Sequence, residues 1–374
     1  MDSYFSQEQN ALRERVAKFA KEVLEPKAAE IDENGFDIDH YRKVMEAGFV
    51  GVPVSKADGG EGMGTVGRCI LLEEISRVCP STALTYLVGG MALYGSLAND
   101  ELKEKYYYPW VNGKIIACFA LTEPGAGSDV SSVKTTAVRD GDEYVINGYK
   151  SQATNGSCAD VVNVYAITDP SVKVSRGMSM ICVPKGTPGM IAKPTKMATL
   201  RGADVSEIEF KDCRVPVTNL VGEENKGYKY AMGGIAGGRI NAAACSIGIG
   251  IHAVEAAAEY AKTRVQFGKP IIENQAISFK LAEMKARIEA AKALVYKAAD
   301  MIDKADPDAG TFASMAKIEA TQAAQFCADN GLQIFGGDGC RADCVAQRIY
   351  RDAHAARIYD GTTEILKLVV GRTV

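Results

Sequence analysis

The sequence predicts an α+β protein with three successive domains: an N-terminal α-helical domain, a middle β domain and a C-terminal helical bundle. Its 374 residues exceed the usual size of one compact core. Helical periodicity stops near residue 117, where short β-branched and aromatic runs take over, and it returns near residue 226. We therefore expect the domains to span residues 1–117, 118–225 and 226–374.

The first segment is predicted to be helical from residue 5 to about residue 117. Apolar residues recur three or four positions apart in LRERVAKFAKEVLEP, YRKVMEAGF and LLEEISRV, with prolines between these stretches. The Gly-rich stretch KADGGEGMGTVG is interpreted as a connecting loop. We expect several helices joined by such loops.

The middle segment is predicted to form a β-barrel or β-sandwich. Runs such as KIIACFALT, DVVNVYAITD and GMSMICVPKG are rich in β-branched and aromatic residues and are separated by turn residues. Gly141 can supply the positive φ that a tight hairpin turn requires. Strands do not alternate with helices here, so a Rossmann fold is not expected.

The last segment is predicted to form a four-helix bundle. GIHAVEAAAEYAKTRV, AISFKLAEMKARIEAAKALVYKAADMIDKA and TFASMAKIEATQAAQFCADNGLQIF are long amphipathic stretches with Ala-rich faces. The preceding stretch MGGIAGGRINAAACSIGIG would be a poor isolated helix because of its glycines. These small residues either let helices approach closely or leave room for a ligand, and both interpretations stay open at this point.

The composition argues against several classes of function. With 43 basic and 47 acidic residues and a net charge of −4, no surface for nucleic acid is indicated. The charged N-terminus lacks an apolar signal region, and no apolar run approaches the ~20 residues of a membrane span, so we expect a soluble, cytoplasmic protein. Ten cysteines without a CxxC pair and three scattered histidines predict reduced thiols and no metal site.

The stretch IYDGTTEI places Asp360 at the entrance of the last predicted helix. An aspartate at that position often caps the helix, because its carboxylate accepts hydrogen bonds from the free amides of the first turn. The same carboxylate could instead act as a general base. The residues alone leave both interpretations open.

Four further stretches carry a resemblance to a known family: ALTEPGAGSDVSS, RVPVTNLVGEENKGY, TRVQFGKPI and QIFGGDGCRADCVAQRIYRD. Glycines and hydroxyls in the first could surround a ligand at the end of a strand. In this order the four stretches resemble the acyl-CoA dehydrogenase family, whose members bind FAD and have the same α, β, α order. The resemblance implies an acyl-CoA substrate, electron transfer to an electron-transferring flavoprotein, and a homotetramer.

The resemblance also implies which residues contact the ligands. In the family the flavin lies between the β domain and the C-terminal bundle, and Arg264 and Phe267 would come from a neighbouring subunit. The implied FAD-binding residues are Leu121, Thr122, Ser128, Gln152, Thr154, Arg264, Phe267, Gln275, Gln333, Gly337, Thr362 and Glu364. The implied substrate-binding residues are Ser128, Arg239, Gly361 and Arg372.

By resemblance, Asp360 occupies the position of the glutamate that serves as the catalytic base in this family. Some relatives carry the base on the first long C-terminal helix, but the position that corresponds here is Gly238. No acidic residue occurs between residues 81 and 99, a segment that lines the acyl pocket in relatives. With the alternatives absent, we interpret Asp360 as the base.

Two departures from the family pattern bear on the substrate. Aspartate is one methylene shorter than glutamate, so its carboxylate is withdrawn by roughly 1.5 Å. A cyclic or α-branched acyl group would need that room, and Gly89 and Gly90 in the pocket segment are compatible with a wide cavity. We therefore expect a substrate such as cyclohexane-1-carbonyl-CoA. The second departure is Gln152, where the family usually has a tryptophan against the flavin.

The sequence leaves two other function classes open. Nitroalkane oxidases resemble this family and use an aspartate base without CoA, and Lys367 would be the cation expected near such a site. A family member recruited for DNA binding would need a basic surface, which the acidic charge balance disfavours.

Overall fold

The structure is a computed structural model that describes residues 4–88 and 94–374. Gly89 and Gly90, expected to line the acyl pocket, lie outside these residues. The N-terminal segment is helical as predicted. Its helices are α1 Gln7–Phe19, α2 Ala28–Asn34, α3 Ile38–Glu46, α4 Gly64–Ser76, α5 Pro80–Val88, α6 Tyr94–Leu97, α7 Asp100–Leu102 and α8 Tyr108–Val111. Ser6 begins α1 with a capping box, in which its hydroxyl accepts from the Gln9 amide and the Gln9 side chain accepts from the Ser6 amide.

The middle segment forms a seven-stranded mixed sheet. The strands are β1 Ala117–Ala120, β2 Thr136–Asp140, β3 Glu143–Thr154, β4 Val161–Ile167, β5 Met178–Pro184, β6 Met190–Pro194 and β7 Val205–Pro216, with the short helix α9 Val174–Gly177 before β5. Their order is β1-β4-β2-β3-β7-β6, and β5 pairs with β4. The predicted hairpin is confirmed, since β2 and β3 are antiparallel and Gly141 between them has φ +62°.

The C-terminal segment is built on three long helices, α10 Gly227–Thr263, α11 Gln275–Asp303 and α12 Ala309–Phe335. The two-residue strands β8 Val265–Gln266 and β9 Lys269–Pro270 connect α10 to α11, and the chain ends with α13 Val345–Ala355 and α14 Thr363–Gly371. Helix α10 is long and apolar enough to span a membrane, but 72% of its most apolar window is buried inside the protein. Its apolar residues therefore belong to the core of the helical bundle.

Glycine allows α10 to pack closely against its neighbours. A Cβ added at Gly248 would lie 2.2 Å from the backbone oxygen of Glu73 on α4, and one added at Gly250 would lie 2.1 Å from a carbon of Ile288 on α11. Both distances are far shorter than van der Waals contact. Close helix packing is thus the reason for these two glycines, one of the two interpretations of the Gly-rich stretch.

Buried charges join the N-terminal and C-terminal helices. Glu73 of α4 is 1% exposed, and its carboxylate accepts hydrogen bonds from Arg13 of α1 at 2.6 Å and from Lys292 and Tyr296 of α11. Such a network is stable only when every charge has a partner. The predicted α+β class with its α, β, α order is confirmed, while the exact domain boundaries stay a prediction.

Candidate active site

Asp360 lies in the turn between α13 and α14, with its backbone in the left-handed region at φ +53°. Gly361 follows with φ +97°. The hydroxyl of Thr362 caps α14 by accepting from the Ile365 amide at 3.3 Å. The interpretation of Asp360 as the helix cap is therefore wrong, because the left-handed turn moves the cap two residues along the chain. A non-glycine residue in this region is strained by roughly 1 kcal/mol, although aspartate tolerates it better than most residues.

Lys317 of α12 holds this turn. Its ammonium donates hydrogen bonds to the carbonyl oxygens of Tyr359 and, at 2.7 Å, of Gly361, the residues on either side of Asp360. The side chain is fully buried, and its Nζ lies 5.6 Å from the centre of the Tyr359 ring. No motif in the sequence indicates a role for Lys317. The available signal was a lysine on the Ala-rich face of α12, since such a face is buried and a lysine there needs a partner.

The carboxylate of Asp360 is buried among positive charges. Burial raises the pKa of the Asp360 carboxyl above its ordinary value, and the positive charges of Lys317 and Arg239 oppose burial without cancelling it. Oxygen Oδ2 is buried and has no hydrogen-bond partner in the described part of the chain, while the residue as a whole keeps partial exposure. An unpaired buried oxygen with a raised pKa is the state expected of a general base before substrate binds.

Helix α10 meets this carboxylate through Gly238. A Cβ added there would lie 2.6 Å from Oδ2 of Asp360 and 2.7 Å from its Cγ. Gly238 therefore leaves room for the carboxylate of Asp360, which is again close packing within the chain. The second interpretation of the Gly-rich stretch, room for a ligand, stays a prediction. Gly238 and Asp360, the two positions that the resemblance associates with the base, thus lie next to each other in this chain.

Arg239 follows on α10 and faces the same cluster. Its Nη1 donates to the Ser314 hydroxyl of α12 at 3.2 Å, while Nε is buried and has no partner in residues 4–88 and 94–374. Burial lowers the pKa of Arg239, and the charge of Asp360 counteracts this effect. The residue predicted to contact substrate thus lies beside the predicted base. Lys367, considered as the nearby cation, is instead exposed on α14.

The loop after β1 contains Leu121, Thr122 and Ser128, and a buried ion pair anchors it. Glu123 accepts from the ammonium of Lys150 at 2.7 Å and from the amides of Lys134 and Thr135, and Lys150 also donates to the Leu121 carbonyl at 3.0 Å. Burial alone would raise the pKa of Glu123, but these donors outweigh burial and lower it. Burial lowers the pKa of Lys150 to about 8. Neither residue of this pair was singled out from the sequence, although Glu123 lies within the ALTEPGAGSDVSS stretch.

The outer side of this loop is open. Gly125 and Gly127 are exposed, and nothing lies within 4 Å of a Cβ added to either of them. Ser128 is also exposed, whereas Leu121 is buried and Thr122 is half-buried. An open glycine edge on an anchored loop fits a flat ligand such as the flavin of FAD, because backbone and hydroxyl groups can approach it closely.

Strand β3 ends beside this loop, and the Ser151 amide donates to the Thr122 carbonyl at 2.9 Å. Thr154 at the end of β3 is buried. Gln152 is exposed with φ +55°, at an irregularity in the pairing of β3 with β7. The structure thus brings Thr122 and the end of β3 together, as the predicted flavin contacts require.

The remaining residues predicted to contact ligands lie at the surface or in the turn between α13 and α14. Phe267 is 99% exposed in the hairpin between α10 and α11. Gly361 and Thr362 are half-buried next to Asp360. The exposed members of the set are Arg264, Gln275, Gln333, Gly337, Glu364 and Arg372. Their roles stay predictions, and the exposure of Arg264 and Phe267 leaves them free to contact a second subunit.

Comparison with known proteins gives matches along nearly the whole chain. Family models described as the N-terminal, middle and C-terminal domains of acyl-CoA dehydrogenase match residues 6–114, 118–213 and 225–374. Acryloyl-CoA reductase (NADH) of Anaerotignum propionicum is 40% identical, with 100% of this chain and 96% of the relative covered. Cyclohex-1-ene-1-carbonyl-CoA dehydrogenase of Syntrophus aciditrophicus is 40% identical over 99% of this chain and 90% of the relative. The solved structure of butyryl-CoA dehydrogenase from Megasphaera elsdenii superposes with a TM-score of 0.95 at 34% identity, covering 99% of this chain and 98% of that one.

Proposed function

Because the chain belongs to the acyl-CoA dehydrogenase family, we propose that it desaturates an acyl-CoA thioester between its α and β carbons with Asp360 as the base. Members of this family are flavin-dependent oxidoreductases, and FAD is the cofactor. The observation that supports Asp360 most directly is its unpaired buried oxygen, in a carboxylate whose pKa is raised by burial.

The proposed reaction assigns separate tasks to the groups of the site. The carboxylate of Asp360 accepts the α-proton of the thioester, and the electron pair of the broken C–H bond forms the Cα=Cβ double bond. FAD, when bound, supplies the acceptor for the β-hydrogen, which leaves with its electron pair. The backbone amide of Asp360 donates to no group in the described residues, so it is free to polarise the thioester carbonyl as negative charge develops there.

The proposed substrate carries a cyclic or α-branched acyl group, with cyclohexane-1-carbonyl-CoA as the specific candidate. The side chain of Asp360 is one methylene shorter than the glutamate usual in the family, which leaves space at the α-carbon of the substrate. The relative from Syntrophus aciditrophicus acts on a cyclic acyl-CoA, a related but different compound, by its name. The equally similar reductase from Anaerotignum propionicum is named for a small linear acyl group, so a substrate panel must decide between the two classes.

Further family properties complete the proposal. Electrons would leave to an electron-transferring flavoprotein, and the protein would work as a cytoplasmic homotetramer. The exposed Phe267 and its hairpin are available for contact with another subunit. Ser128, Arg239, Gly361 and Arg372 would contact the acyl-CoA, where the guanidinium groups suit phosphate or carbonyl oxygens.

The experiment is an anaerobic titration of the FAD-loaded protein with straight, branched and cyclic acyl-CoAs, in which loss of the oxidised flavin absorbance is followed. We expect cyclic or α-branched esters to bleach the flavin fastest and Asp360→Asn to keep its flavin without being bleached. The matched control is Asp300→Asn, the same change at an exposed residue paired with Lys304. Bleaching of Asp360→Asn at the wild-type rate would show that Asp360 is not the base. Oxidation of nitroethane with indifference to acyl-CoA would overturn the whole proposal.

A further inference from the structure

A fully buried lysine lies next to the proposed base and takes no part in the proposed reaction. Lys317 is 0% exposed on α12 and reaches across to the turn that contains Asp360. Burying a lysine is costly unless its charge is compensated, so its position requires a reason. Its ammonium contacts backbone carbonyl oxygens and leaves the carboxylate of Asp360 unpaired.

The ammonium of Lys317 contacts the backbone around Asp360 and leaves the carboxylate alone. It donates to the carbonyl oxygens of residues 359 and 361, and neither Lys317 nor Arg239 forms a direct ion pair with Asp360 in the described part of the chain. Two hydrogen bonds that flank one residue restrict its φ and ψ angles on both sides. Because the left-handed conformation at φ +53° is strained, the turn needs such a restraint to persist.

The same arrangement affects the charge of the base. A cation that formed an ion pair with Oδ2 would stabilise the carboxylate but would also occupy the oxygen that must accept the proton. Lys317 instead acts on the carboxylate through space, since its positive charge favours the ionised form while Oδ2 stays unpaired. In the described part of the chain, Arg239 and Cys245 of α10 and Tyr359 are further ionisable groups that interact with Asp360.

We propose that Lys317 is the positioning residue of the base: it fixes the left-handed turn through the carbonyls of Tyr359 and Gly361, so that the free oxygen of Asp360 stays directed at the substrate and remains ionised. This inference rests on the proposed function, since it concerns the same site. It assigns no proton transfer to Lys317 itself.

The test is the pH dependence of flavin reduction by anaerobic rapid mixing, from pH 5 to pH 9. The probe is butyryl-CoA or cyclohexane-1-carbonyl-CoA, whichever bleaches the wild-type holoenzyme faster. Lys317→Met removes both the charge and the hydrogen bonds, Lys317→Gln keeps one donor group without charge, and Lys317→Arg keeps the charge and several donors. Lys285→Met, an exposed lysine on α11, is the matched control.

For Lys317→Met we expect the maximal rate of flavin reduction to fall by about 100-fold, the scale of a 1 Å misplacement. We also expect the acid limb of its pH profile to move upward by about one pH unit, the usual effect of removing a nearby opposite charge. Lys317→Gln should show the same upward movement, and Lys317→Arg should restore the wild-type midpoint. Lys285→Met should match wild type in both rate and midpoint.

A purely structural role gives a different result. If both neutral variants keep the wild-type midpoint, or if Lys317→Arg shifts it as much as Lys317→Met does, the positioning role is overturned even where rates fall. If Lys317→Met does not fold, Lys317→Gln and Lys317→Arg decide the question by the same criterion. Reduction of Asp360→Asn at the wild-type rate would instead refute the proposed function and this inference together, so the two failures are distinguishable.

Discussion

A single methyl group added at Gly238 tests the geometry of the site. In Gly238→Ala the new Cβ would lie 2.6 Å from Oδ2 of Asp360, whereas ordinary van der Waals contact begins at 3.4 Å. The carboxylate must therefore retreat by about 0.8 Å, and a misplacement near 1 Å can cost ~100-fold in rate. Helix α10 itself should become more stable, since alanine is favoured over glycine within a helix by up to ~1 kcal/mol.

We therefore expect Gly238→Ala to retain its FAD and its melting temperature while flavin reduction by acyl-CoA slows by one to two orders of magnitude, roughly the scale given for such misplacement. Anaerobic rapid mixing measures the rate, and thermal unfolding measures stability. The matched control is Gly237→Ala on the same helix, where nothing lies within 4 Å of the added Cβ and the rate should not change. A wild-type rate for Gly238→Ala would show that Asp360 and Gly238 are not arranged as described during turnover.

Three further predictions follow from the charges of the site. Asp360→Asn should have a melting temperature at pH 7 equal to or above that of wild type. The pKa of Asp360 is raised in the folded state, so at any pH above its ordinary pKa of 3.8 the ionised carboxylate opposes folding. A clear decrease in melting temperature would contradict this prediction. Burial lowers the pKa of Lys317 from 10.5 to about 8, so the unfolded chain binds more protons than the folded chain between these two pH values. The free energy of unfolding of wild type, relative to that of Lys317→Met, should therefore rise by roughly 2 kcal/mol from pH 7 to pH 10. Chemical denaturation at several pH values measures this difference, and a constant difference would contradict the prediction. Lys150→Met should lose about 3–5 kcal/mol of stability and release FAD faster, because it leaves Glu123 buried without its ion-pair partner; unchanged flavin retention in gel filtration would refute the anchoring role of this pair.

The sequence predicts the elements of the fold better than their arrangement. Alternating and helical periodicities identify the strands and the long helices, because they reflect which faces are buried. They do not specify that β4 pairs in parallel with β1, since that pairing joins segments distant in the chain, whereas the antiparallel partner β5 is simply the next strand. The Gly-rich stretch could likewise be assigned to a helix only through its neighbours, as the close contact of Gly248 with α4 demonstrates.

For the candidate site, motifs identify the side chains that we propose to act on the substrate, but they miss side chains that bind the backbone. Asp360 and Gly238 are both identified from the sequence, and the structure places them in contact. Lys317 was missed because its partners are carbonyl oxygens 42 and 44 residues further along the chain. Thr362 caps the helix in place of Asp360 because the chain makes a left-handed turn at Asp360, and that turn is bonded by a lysine far away in the sequence.

Exchange of the α-proton of an acyl-CoA with solvent tests the role of Asp360 most directly, because it isolates proton removal from electron transfer. The holoenzyme would be incubated anaerobically in D₂O with an acyl-CoA analogue that cannot be oxidised at its β-carbon, and deuterium at the α-carbon would be measured by mass spectrometry. We expect wild type to exchange this proton and Asp360→Asn to exchange it no faster than solvent alone. Exchange by Asp360→Asn at the wild-type rate would contradict the assignment of the base.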